Sequence, residues 1–227
     1  GNPAHEDPTS MRQPVENIEN IEVWKLQTSS TSSEEADVRR VAALVDLAES
    51  DQLLRQADEY TERRLPDPEA DQYSESDIEA LRDGENTSVS TYVESGNLRQ
   101  PLRTQDWEVG NFKKLEKGRD YRLNENLGFV SLQQRLRPSE ALAVAYRYRA
   151  DGEVRQVGDF SAEQGGATGG VKADRLVLKL LRPTNPVAPG TNASQEPSAW
   201  FLEMRNIYRL SGRGFTPDNF EMDIEYD

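Results

Sequence analysis

The sequence predicts an α+β fold that is β-dominated, an antiparallel meander or sandwich-like sheet with two or three short helices. Three observations carry that reading. Short runs rich in β-branched and aromatic residues recur along the chain, most densely between Trp107 and Phe160. Asp151-Gly152 stands between two such runs, and this pair suits a two-residue hairpin turn because both positions tolerate positive φ. Apolar residues at helical spacing occur only in short segments.

In chain order, residues 1–17 hold three prolines and few apolar side chains, which reads as a disordered tail or a cloning remnant. Ile18 to Leu26 combines Ile21, Val23 and Trp24 with alternating Glu22, and predicts the first strand. Arg39 to Leu47 is compatible with strand, through alternating Val41, Ala43, Val45 and Leu47, or with helix, through its alanines. From Ser50 to Arg64, Leu53, Leu54, Ala57 and Tyr60 recur at helical spacing. Ser76 to Leu81 predicts a short helix, capped at Ser76 with Glu79 three residues on, and the polar run Asn86 to Gln100 reads as loop.

Leu115 to Leu123 leads to the turn-like Asn124-Glu125-Asn126. Leu127 to Leu132 and Ala141 to Tyr148 then predict strands, the latter with Leu142, Val144, Tyr146 and Tyr148 on one face. Ser161 to Gly170 reads as a flexible loop and Leu176 to Leu181 as an apolar strand. Residues 183–197 hold four prolines and read as a mobile connection within one domain spanning 18–227. Trp200, Met204, Ile207 and Tyr208 suit an amphipathic helix, and Phe220 to Asp227 alternates apolar with acidic residues as a half-buried strand does. Phe220, Glu221, Asp223, Glu225 and Tyr226 of that strand are the candidate interaction residues, through strand addition.

Composition excludes several function classes. With 41 Asp and Glu against 27 Lys and Arg, the net charge of −14 disfavours nucleic acid and anionic lipid, since phosphate binding needs clustered cations. No apolar run approaches the roughly 20 residues of a membrane helix, so the segment is expected not to insert in a bilayer. The chain contains no cysteine, and its one histidine, His5, lies in the tail, which leaves no catalytic residue of the triad type, no zinc set and no expected metal or cofactor. The Gly-rich run Gly165 to Gly170 has Val171 where a phosphate loop places lysine. Asp67, Glu69 and Asp71 begin like a calcium loop, but Gln72 and Ile78 replace its obligatory Gly and Glu. Trp24, Trp107, Phe129, Tyr146, Trp200 and Tyr208 suit either a core or a carbohydrate platform.

A set of strings runs in order through the chain: Ile18 to Trp24, Arg40 to Glu49, Tyr121 to Asn124, Leu127 to Leu132, Leu142 to Tyr146, Val157-Gly158-Asp159-Phe160, and Met204 to Tyr208 with Trp200 before it, closing with Phe220 to Asp227. Together they resemble the SprA/Sov family, the large outer-membrane translocon subunit of the type IX secretion system. Ala48 stands where the family usually has Gly. The resemblance settles Arg39 to Leu47 as strand. It implies a soluble internal segment of a giant β-barrel that passes folded cargo across the outer membrane of Bacteroidota and supports gliding motility. It implies no catalytic residues and no cofactor; the expected partners are the rest of its own barrel, other translocon subunits and secreted cargo, at an outer-membrane or cell-surface location. The chain lacks the successive ten-residue dyad segments of barrel strands, so it reads as an inserted lobe rather than as barrel wall. Two rival readings are a β-sandwich carbohydrate-binding module and a glycosidase, the latter requiring a carboxylate pair in a cleft.

Overall fold

The computed structural model describes residues 18–28, 37–45, 47, 75–83, 88–94, 106–125, 128–150, 153–163, 175–186 and 199–203. Among the described residues, eight strands and two short helices follow in the order β1 (Ile18–Leu26), β2 (Val38–Leu44), α1 (Glu75–Arg82), α2 (Val89–Glu94), β3 (Trp107–Lys114), β4 (Tyr121–Asn124), β5 (Phe129–Leu132), β6 (Leu142–Ala150), β7 (Glu153–Val157) and β8 (Leu176–Arg182), with a 3-10 turn at Ala199–Leu202. The strand dominance and the α+β class agree with the sequence reading.

The sheet differs from the expected meander or sandwich because it closes on itself. Strands run in the order β1-β3-β2-β8-β6, and β6 returns to pair with β1, which makes a five-stranded barrel. One junction, β2 with β8, is parallel, and the other four are antiparallel. Opposite the edge of β6 that pairs with β1, β8 pairs with Leu142 to Val144 and β7 with Tyr146 to Ala150. Closure removes the open edges that a flat sheet of the same strands would leave.

A barrel this narrow dictates which side chains face its axis. Trp24, Val41, Ala43, Phe112, Ala143, Ala145, Phe160, Leu176, Leu178 and Leu180 fill the interior, with Leu26 against them. The small alanines of β6 make room for the indole and phenyl rings. Gly110 serves the same end, since a Cβ there would stand 2.7 Å from Leu26 Cδ1. The bulky alternate row of β6 faces outward.

Two coats cover much of the barrel's outward face, while Val109 of β3 stays exposed. Leu81 of α1 and Val89 and Val93 of α2 bury Ala42, Leu44 and Val177. The β4–β5 hairpin lays Leu123, Val130 and Leu132 beside buried Tyr121 over Val23, Leu142 and Val144. Parallel pairing between β2 and β8 suits strands buried on both faces, as both are here.

Several elements match their sequence boundaries closely. Strand β1 spans the expected nine residues, and β6 and β7 pair from Tyr146 opposite Val157 to Ala150 opposite Glu153, the register that a two-residue Asp151-Gly152 turn requires. Other expectations are corrected. The 120–160 stretch is two separate hairpins in different sheets rather than one meander. Val89 to Glu94 is helical where loop is expected: Ser88 Oγ accepts from Thr91 N and Val89 and Val93 turn one face to the barrel. The Pro-rich connection starts pinned, with Pro183 buried and Thr184 donating to Glu108 from its N–H at 2.7 Å and its hydroxyl at 2.6 Å. Ala199–Leu202 is a 3-10 turn at the start of the expected amphipathic helix. The tail 1–17, the helix expected over 51–64, most of the Pro-rich connection, Met204 to Tyr208 and the strand Phe220 to Asp227 lie outside the described residues.

Candidate functional site

Among the described residues, a buried polar network forms where β7 crosses to β8. Gly158 turns the chain with φ of 76°, and a Cβ there would meet Val144 O at 3.2 Å and Ala145 Cα at 3.3 Å. Close approach and positive φ both call for glycine. The turn lays Asp159 beside β8: its N–H donates to Val177 O at 2.9 Å, and its Oδ2 accepts from Val177 N at 2.8 Å. Arg82, the last residue of α1, grips the same carboxylate with Nη2 at 2.6 Å and Nε at 3.1 Å. Asp159 is 4% exposed, so this buried charge needs both partners. One side chain thereby ties the helical coat to the barrel wall.

Phe160 enters the barrel core, and the Arg147 guanidinium stands 4.8 Å from its ring centroid. Ser161 then reaches β1, donating from its N–H to Glu22 Oε2 at 3.0 Å and from its hydroxyl to Glu22 Oε1 at 2.9 Å. Lys114, at the end of β3, donates to Glu22 Oε1 at 2.5 Å and to Ser161 Oγ at 3.1 Å, and stands 5.9 Å from the Trp24 ring centroid. Burial alone would push the Glu22 carboxyl up, but the hydrogen bonds from Lys114 and Ser161 and the lysine charge outweigh it and hold the group below its ordinary 4.5. Tyr121 is pushed the other way, first by burial and then by the Glu22 charge.

A serine hydroxyl 3.1 Å from a lysine amine has the reach of a nucleophile and its base. The protons are misplaced for that chemistry. The serine hydroxyl donates to Glu22, and Lys114 Nζ donates to the serine oxygen, so the lysine is not placed to take the serine proton. The network works as a clasp.

A second carboxylate sits at the barrel rim. Glu140 receives Lys25 Nζ at 3.1 Å and Arg137 N at 2.8 Å, while Arg182 Nη1 donates to the Glu140 carbonyl at 2.9 Å. Burial raises its pKa, but the Arg137 N–H and Lys25 outweigh it and leave the group below its usual range. A glycosidase acid needs the opposite shift. Each of the buried acids Glu22, Glu140 and Asp159 faces cations rather than a second carboxylate.

The remaining feature is a hollow on the outside of the β4–β5 hairpin. Its volume is about 570 Å³, lined by Arg122, Leu123, Asn124, Glu125, Phe129 and Ser131. Among the aromatic candidates, Trp24 is interior at 1% exposure and Phe129 lines this hollow half-buried. The candidate interaction residues Phe220, Glu221, Asp223, Glu225 and Tyr226 lie outside the described residues. Among the described residues, no group of three or more His, Cys, Asp or Glu is arranged to hold a metal, and no helix is long and apolar enough to cross a membrane.

Sequence reasoning did not single out Glu22, Lys114, Ser161 or Arg82, because one carboxylate among 41 carries no local mark. Gly158 and Asp159 were visible only inside the string Val157 to Phe160. No protein-family model matches this chain, and no curated protein matches it either.

Proposed function

We propose that this chain is a non-catalytic lobe of a type IX secretion outer-membrane translocon of the SprA/Sov kind, acting in protein export and gliding motility. It shapes the pore or docks translocon subunits and secreted cargo at the outer membrane or cell surface. The observation that carries the reading is where the resembling strings fall. Ile18 to Trp24 lies in β1, Arg40 to Leu44 in β2, Tyr121 to Asn124 is β4, Phe129 to Leu132 is β5, Leu142 to Tyr146 lies in β6, and Val157 to Phe160 makes the clasp. Within the described residues the likeness thus falls mainly on strands of the barrel and of the hairpin that coats it, in chain order.

A non-catalytic role is supported by the clasp chemistry, in which the buried acids Glu22, Glu140 and Asp159 each accept from a cation or an N–H. The β-sandwich scaffold of the rival carbohydrate module is replaced by a closed barrel.

The test is affinity capture from a Bacteroidota envelope extract with the full chain, compared with a Glu221→Lys, Asp223→Lys, Glu225→Lys variant. Circular dichroism confirms that both are folded. Enrichment of type IX subunits or signal-bearing cargo by the native chain, lost in the variant, is the expected result. Recovery of neither by the native chain overturns the docking role.

A further inference from the structure

We propose that the outer face of the β4–β5 hairpin is a saccharide-binding site whose ligand carries a carboxylate, as a uronic acid does. Pairing register sets the site. Arg122 stands opposite Ser131 and Asn124 opposite Phe129, so these four side chains share the face turned away from the barrel. The other face, with Tyr121, Leu123, Val130 and Leu132, is committed to packing. The outer four, with Leu123 and Glu125, line the hollow of about 570 Å³, within the range of small-ligand sites.

The lining chemistry selects the ligand. A half-buried phenyl ring offers a flat apolar surface to the C–H face of a pyranose. Around it, an amide, a carboxylate and a hydroxyl provide both donors and acceptors, the mixture that neighbouring sugar hydroxyls require.

Charge then narrows the class. Lys117 is bound to Glu125 at 2.9 Å, and Arg119 lies between Glu116 at 3.0 Å and Asp120 at 3.5 Å. Arg122 is exposed and makes no hydrogen bond or ion pair among the described residues, so its planar fork is free to take a carboxylate in two parallel bonds. An extended peptide fits less well. Its main chain would add at a strand edge, where backbone N–H and C=O groups point, whereas the hollow lies on the face, which presents only side chains. One free guanidinium is too little charge for nucleic acid.

The experiment titrates the full 227-residue chain, ¹⁵N-labelled, with tri-galacturonic acid, with the neutral galactose trimer and with an octaglutamate peptide. Saturable shifts of the amides in 122–131 by the uronate are expected, with the neutral trimer about tenfold weaker, the worth of one charge-assisted pair. Arg122→Gln, an exposed change that leaves the fold intact, brings the uronate down to the level of the neutral trimer. Phe129→Ala abolishes binding of both trimers. The proposal fails if the uronate produces no saturable shift, if octaglutamate binds as tightly, or if Arg122→Gln leaves uronate affinity unchanged. Because these readouts involve no translocon component, they stand or fall separately from the secretion role.

Discussion

Gly158 and Glu22 show how much single positions carry in the clasp. At φ of 76° any side chain is strained, and Cβ would crowd Val144 O, so Gly158→Ala is expected to cost about 1–2 kcal/mol in urea denaturation. A neutral result would mean that the turn relaxes freely. Glu22 sets a pH dependence whose sign follows from its depressed pKa. A carboxyl held below its ordinary 4.5 adds stability that is fully present above that value and is lost as pH falls through the folded-state value. Glu140 acts in the same direction. Glu22→Gln should therefore flatten the acid limb of stability against pH below about 4.5, and lower stability at neutral pH by about 1–3 kcal/mol through the lost charged hydrogen bonds. An unchanged acid limb in chemical denaturation from pH 3 to 7 would refute this role.

At the scale of elements, a side-chain hydrogen bond joins the two short helices, which also pack in one cluster against the barrel. Tyr92 of α2 donates its hydroxyl to Asp77 Oδ1 of α1 at 2.5 Å. Burial, and then the hydrogen bond and charge of Asp77, push the tyrosine pKa up to about 12. Ultraviolet titration should find one tyrosine ionising near there, and Asp77→Asn should return it toward 10. A raised value means that the neutral phenol stabilises the fold below pH 10 and that this contribution is lost as pH rises through the higher value. Helix α2 was illegible in the sequence because six residues give less than two turns of periodicity, and only contact with Ala42 and Leu44 makes Val89 and Val93 a face. Strand β3 was equally hidden. Its inward row of Glu108, Gly110, Phe112 and Lys114 breaks the apolar alternation, since two of those positions reach the barrel ends and one must stay empty for Leu26.

For the molecule as a whole, barrel closure fixes the volume that the interior accepts. Ala143 and Ala145 are fully buried beside Trp24 and Phe112, so Ala143→Leu is expected to cost about 1–3 kcal/mol or more by overpacking. Thermal melting followed by tryptophan fluorescence measures it, and an unchanged Tm would mean that the interior has spare room. Charge divides unevenly across the chain. Among the described residues, 17 Lys and Arg face 18 Asp and Glu, a balance of 17 − 18 = −1, against −14 for all 227. The barrel body is close to neutral, and the acid excess belongs to the remaining sequence.

The identity of β1, β5, β6 and β8, the β6–β7 register and the β-dominated class of the fold came from the sequence alone, because two-residue alternation, β-branched composition and turn dipeptides are local properties. Leu142, Val144, Tyr146 and Tyr148 were legible as one face, and so were Leu176 to Leu181 as an apolar strand. Which face of β6 lines the axis was decided only in three dimensions, since over its first half both rows are apolar, and closure assigns the small row of Ala143 and Ala145, which continues into Arg147 and Arg149, inward. The clasp has the same origin. Asp159 and Arg82 lie 77 residues apart and Glu22 and Ser161 139 apart, so their pairing depends on the barrel bringing β1, β3, α1 and the β7–β8 turn to one end, a long-range geometry that no local pattern encodes.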